Sequence, residues 1–306
     1  MMLDGAMLLW WILTIPSLLF VAIDIFRTTP EATVMKWAFI ILTAFTGPVG
    51  AFFYVLGCRE PLKGTHEQYV SVRWRQVLGS TMHCAAGDGI GIIFGSAIGA
   101  GLALTLWPDF LLEYVLGFSF GWGYFQAFAM KDMAGGNYLK SLRMTFLPEF
   151  LSMNCLMSGM LLVSKFWMPQ VSGGDDPSQP QFWFIMSIAL LVGFIAAYPM
   201  NWWMVSNHMK HGMITVLSEE RGGDHSAMAH HSAGMSDHAT VAASSSAAEV
   251  STSEPHDLAA SGPHSKDAKP MAMPTAARSL KIQMTVVSVA VLTVTLAVIV
   301  LFAPMS

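Results

Sequence analysis

The chain has 306 residues, of which 54% are hydrophobic and 12% charged, and its mean hydropathy is +0.51. A soluble globular domain carries about 25% charged residues, so the composition excludes one and describes a membrane protein. A net charge of -4, with 16 Lys and Arg residues and no basic stripe, excludes a nucleic-acid partner.

Spanning the hydrocarbon layer takes about 20 apolar residues in a helix. Seven segments meet this requirement: 7–26, 34–57, 80–106, 110–131, 146–167, 182–204 and 280–303. The first lies behind Asp4 with no basic residue and no clear cleavage site, so it reads as a retained helix and not a secretory signal. Trp10, Trp107, Trp167 and Trp202 sit near segment ends, as interfacial tryptophans do. The third segment repeats Gly87, Gly91, Gly95 and Gly99 at a spacing of four, a smooth face for close helix approach. Pro16, Pro48 and Pro199 fall within predicted spans and Pro148 at the start of one.

Residues 219–277 are rich in Ala, Ser, His, Met, Gly and Pro, with few aromatic or branched apolar side chains. Such a stretch cannot bury a core and reads as a disordered linker. The expected architecture is an all-α integral membrane helical bundle. It comprises a six-helix body over 1–218, a disordered His/Met-rich linker over 219–277, and an appended seventh transmembrane helix over 278–306.

Loop charges set the expected orientation. One side collects Arg59, Lys63, Arg73, Arg75, Lys131, Lys140, Arg143, Lys210, Arg221, Arg278 and Lys281; the other has little beyond Arg27, Lys36 and Lys165. The first side is expected to be cytoplasmic, with the N-terminus and linker inside and the C-terminus outside.

Ionisable residues inside a bilayer are costly and point to function. Asp24 and Glu113 lie near helix ends, where they can reach the interface. His83, Asp88 and Glu149 are harder to dismiss in that way. The odd, widely spaced Cys58, Cys84 and Cys155 suggest buried thiols and no disulfide framework. On the third segment Cys84 and Asp88 share a face, with His83 adjacent, a soft-and-imidazole mixture suited to a transition metal. On the fifth, Glu149, Met153, Met157 and Met160 form one stripe. On the sixth, Met200, Met204, His208 and His211 form another if the helix runs past the membrane edge. Both stripes also suit ordinary packing. Eight of the ten histidines lie at or after His208, and His225, Met228, His230, His231, Met235 and His238 interleave in the linker. Short His-rich tracts suggest metal binding. No phosphate-binding loop or c-type haem signature occurs.

Three stretches carry a family resemblance. They are Met82-His83-Cys84-Ala85-Ala86-Gly87-Asp88, Glu149-Phe150-Leu151-Ser152-Met153-Asn154, and Tyr198-Pro199-Met200-Asn201-Trp202-Trp203, closing on His208-Met209-Lys210-His211-Gly212-Met213. Together, over about residues 70–215, they resemble the bacterial membrane family called domain of unknown function 4396. The resemblance implies a multi-spanning protein of the bacterial inner membrane and brings no established activity.

The expected function is handling of a transition metal, copper first, by transport, export or membrane chaperoning. The lipid bilayer is the surrounding partner, and a metal donor or acceptor protein is a further one. Three alternatives stand beside it: a proton- or ion-coupled transporter of another solute, a structural or partner-binding membrane subunit, and a redox enzyme with haem between His83 and His208. No catalytic constellation marks an enzyme, and the expected cofactor is a copper ion and not haem.

Overall fold

A computed structural model describes residues 2–62, 64–131, 134–210 and 277–303. The linker, including His225, Met228, His230, His231, Met235 and His238, and also His211, lies outside the described residues. Among the described residues the fold is helical throughout, with membrane-length helices packed into a bundle.

Helix α1 (Met2–Thr28) is followed by two short helices, α2 (Thr33–Thr46) and α3 (Pro48–Gly57). Segment 34–57 was expected to be a single span, and here the structure differs. At 1.5 Å per residue α2 and α3 reach about 21 and 15 Å, short of the 30 Å of hydrocarbon. They fold back on each other at Gly47, which has φ 55°. The Phe39 and Tyr54 rings, fifteen residues apart in the chain, meet at 5.7 Å. The hairpin mouth is tied to the end of α1: Asp24 accepts from Tyr54 Oη at 2.8 Å and from Arg59 Nε at 2.7 Å. Its tip abuts Thr14, halfway along α1. The segment therefore enters and leaves at one face.

Beyond the short α4 (His66–Val70) comes α5 (Arg73–Gly101). It begins seven residues before the predicted span, so His83 lies about ten residues into the helix and not at its fourth position. The next crossing is α6 (Leu106–Phe118), a π-helical stretch Ser119–Gln126 and α7 (Ala127–Ala129). Helix α8 (Tyr138–Trp167) and a 3₁₀ turn lead to α9 (Pro180–Ser206). Last comes α10 (Arg278–Phe302).

Helices α5 and α6 run antiparallel with their backbones in contact. A Cβ on Gly87 would lie 2.9 Å from Gly121 Cα, on Gly91 2.6 Å from Gly117 Cα, and on Gly95 2.8 Å from Glu113 Cα. Lipid gives no hydrophobic drive between helices, so this close approach and polar contacts hold the bundle. Gly159 and Gly193 make the same kind of contact between α8 and α9. Burial is high in the most apolar windows of α5, α8 and α9 (67, 72 and 56%) and 17% in α1 and α10. The exposed faces of those outer helices carry Leu8, Ile12, Ile15, Val286, Val294 and Leu301, as lipid contact requires. Helix α10 is seated on α8: Ser288 Oγ accepts from Asn154 Nδ2 at 3.0 Å and donates to Leu151 O at 3.0 Å.

Candidate intramembrane ion site

Helices α5 and α8 each bring a polar segment to the same depth. Cys84 and Asp88 stand one turn apart on α5, and Glu149 follows Pro148 inside α8. Potential ligand atoms of the three lie within 4.8 Å of one another, and all three residues are buried. Cys84 Sγ donates to Glu149 Oε2 at 3.1 Å. The space is made by Gly121 in the π-helical stretch, a geometry found often at functional sites. A methyl on Gly121 would collide with the Asp88 carboxylate and lie 3.0 Å from Glu149 Oε1.

A fourth member comes from beyond α9. The helix ends at Ser206, Met209 N donates back to Met204 O at 2.9 Å, and His208 takes a positive φ of 56°. That turn leaves His208 exposed and sends Lys210 inward. Lys210 Nζ donates to Cys84 Sγ at 2.5 Å and to Glu149 Oε2 at 3.2 Å. Burial alone would push its ammonium down, but the Cys84 and Glu149 side chains hold it above the ordinary lysine range.

Asp88 faces Glu149, and neither of its oxygens receives a hydrogen bond from a nitrogen or hydroxyl donor among the described residues. Two carboxylates thus share one ammonium. A buried charge without compensation costs several kcal/mol, so the site favours arrival of a further cation or proton.

The other sequence candidates distribute around this centre. His83 is buried edge-on to Phe125 at 5.7 Å, with the Gln126 amide as polar neighbour. The Met153 methyl group packs at Gly117, beside the Asp88 carbonyl. Met157, Met200 and Met204 lie in the apolar core, as does Met160. With the helix ending at Ser206, Met200 and Met204 do not continue into a stripe with His208, and His83 and His208 share no pocket, one being buried and the other exposed.

A second group of the same composition lies at the other end of the α5–α6–α8 seam. Asp109 and Glu113 of α6 flank Lys165 of α8, whose Nζ donates to Asp109 Oδ2 at 2.5 Å and stands 4.0 Å from Glu113 Oε1. Glu113 does not reach the interface as expected; it is buried at 1% exposure. A cavity of about 700 Å³, lined among others by Ser96, Asp109, Ser164 and Lys165, opens beside this group. Glu149 and Lys165 are sixteen residues apart on α8, about 24 Å at helical rise. Between them Tyr114 Oη donates to Asn154 Oδ1 at 2.8 Å.

Residues 73–210 match the family model Domain of unknown function (DUF4396). Over this stretch, somewhat less than half of the chain, the protein is similar to that family. The stretch contains both acidic groups and their lysines, and the match ends at Lys210 itself; α1, the re-entrant hairpin and α10 lie outside it. No curated protein and no solved structure matches the chain.

Sequence reasoning missed Lys210, Asp109 and the pairing role of Lys165. Lys210 and Lys165 were read as loop charges because both lie at the ends of apolar runs. A usable signal was the pairing of an acid inside a span with a lysine one helix end away.

Proposed function

We propose that the DUF4396-like stretch passes a cation across the bacterial inner membrane along the α5–α6–α8 seam, and that its cargo is a late transition-metal ion, copper first. The observation that carries this is the pair of groups, one buried and one partly exposed beside a cavity, each with two carboxylates and one lysine, at two levels of one seam. Ionisable residues gathered inside a membrane mark ion paths. The choice of metal rests on the Cys84 thiol among the inner ligands and on the His/Met-rich tract that follows Lys210. Thiolate and thioether ligands select soft ions such as Cu(I). In this reading Lys210 neutralises the empty site and is displaced as the ion arrives at Cys84, Asp88 and Glu149. His211, His225, Met228, His230, His231, Met235 and His238 would deliver or receive the ion from the adjoining segment.

The proposed orientation puts the inner group on the cytoplasmic side. The positive-inside rule supports it: with segment 34–57 folded back, Arg27 and Lys36 join the basic side, and of the charges that set the orientation Lys165 alone remains opposite. The first helix then starts on the outer side, consistent with Trp10 meeting Phe184 at the start of α9.

The test is metal analysis and X-ray absorption on the full chain loaded with Cu(I) under reducing conditions. Cys84→Ser with Glu149→Gln should remove one thiolate-bearing copper environment and lower the copper stoichiometry by one. A copper spectrum and stoichiometry unchanged by the double substitution would sink the intramembrane metal site. A second reading, proton- or ion-coupled movement of another solute, is favoured by the Lys210 ammonium bonded to both Cys84 and Glu149. It predicts proton flux in proteoliposomes that needs Glu149 but not Cys84.

A further inference from the structure

A separate cluster closes the mouth of the re-entrant hairpin. Glu31 stands between α1 and α2, Cys58 directly follows α3, and His66 opens α4. All three are buried, at 4%, 0% and 2% exposure, although Leu62 in the same connection is 70% exposed. His66 Nε2 lies 3.1 Å from Glu31 Oε1, and a ligand atom from each of the three residues falls within 4.8 Å of the others. His66 Nδ1 is buried with no hydrogen-bond partner among the described residues. A buried polar atom left so costs about 1–3 kcal/mol.

A simple ion pair would account for Glu31 and His66. It gives no reason for the thiol to stand with them, since a neutral thiol adds only a weak donor. The chemistry of the set is that of a zinc site: one thiolate, one imidazole and one carboxylate, with a fourth position for water. Tetrahedral zinc with bonds of 2.0–2.3 Å needs ligand atoms about 3.3–3.8 Å apart, so closing the set takes shifts of an ångström or less. Charge fits as well. A divalent ion with one thiolate and one carboxylate is neutral, which suits a buried location.

We infer that Glu31, Cys58 and His66 form a binding site for a divalent zinc-like ion that staples the hairpin mouth. The site stands outside the DUF4396-like stretch and is independent of the proposed cargo path. Holding the end of α1, the end of α3 and the start of α4 together, the ion fixes the angle at which the hairpin enters the bundle.

Cobalt(II) tests this, because its thiolate charge-transfer band reports a sulfur ligand and the histidines and methionines of residues 211–276 supply no thiolate. The full chain carrying Cys84→Ser and Glu149→Gln, which silences the inner site, should bind cobalt with a near-ultraviolet thiolate band and tetrahedral visible bands. Zinc should bleach them. Adding Cys58→Ser should abolish the thiolate band, His66→Ala should weaken it at least tenfold in cobalt affinity, and Cys155→Ser should leave it intact. Circular dichroism of each variant reads whether it is folded. No thiolate band in the starting protein, or a band that survives Cys58→Ser in folded protein, overturns the site. Neither outcome bears on copper at Cys84.

Discussion

Lys210 lies four residues past the end of α9, where an apolar segment gives way to polar sequence, and such a lysine normally extends to water. Here its side chain is 1% exposed and bonded to Cys84 and Glu149. Removing one partner of a buried ion pair costs about 3–5 kcal/mol because the other charge is stranded. Lys210→Met should therefore lower the thermal stability of the detergent-solubilised protein markedly. Adding Glu149→Gln should restore much of the loss, since one carboxylate fewer then needs compensation. Additive losses in the double variant would show that the two side chains are not electrostatically coupled. Cys84, Asp88 and Glu149 were legible in the sequence because an ionisable group in an apolar helix demands an explanation. Lys210 was not, because its inward path depends on the left-handed turn at His208, and histidine gives little warning of that conformation.

At the scale of elements, the re-entrant pair α2–α3 is the largest departure from expectation. Its 24 residues have the length and hydropathy of a span, so composition cannot separate the two. The discriminating signal is local: Gly47 followed by Pro48. Glycine takes the positive φ that stops α2, and proline at the first position starts α3. The sequence analysis places Pro48 within one continuous span, where the structure has a reversal. Cysteines placed at Thr33 and Gln68, both exposed, should react with a membrane-impermeant maleimide from one and the same side. Labelling from opposite sides would mean that the segment crosses. The spacing of glycines on α5, by contrast, was enough to foresee a close contact face, because a four-residue repeat of missing side chains has few other uses. What it could not supply was the partner, which turned out to be α6 with Gly117 and Gly121 in register.

Across the whole molecule, the helical bundle and its membrane nature followed from hydropathy alone, while the handedness of the topology did not. An odd or even number of crossings before α5 decides on which side the chain starts, and one hairpin alters that parity. Reporters fused before Met1 and after Ser306 should both read as external, and one at Ser245 as cytoplasmic. A cytoplasmic reading before Met1 with an external one after Ser306 would restore the simple seven-span topology. The acidic group around Lys165 was illegible for a related reason. Asp109, Glu113 and Lys165 each sit within reach of a helix end, and sequence does not say whether an end residue turns toward water or toward a neighbouring helix.

The antiparallel ladder between α5 and α6 also limits how the bundle can change shape. Where two backbones touch at three successive levels, neither helix can rotate or slide past the other without lifting the ladder apart as a whole. The α5–α6 pair is therefore a single stiff plank carrying Cys84 and Asp88 near one end and Asp109 and Glu113 near the other. Helix α8 carries the opposing halves, Glu149 and Lys165. Both groups are closed here, each by its own lysine, so tilting the plank against α8 would first have to free Lys210 or Lys165 from its carboxylate.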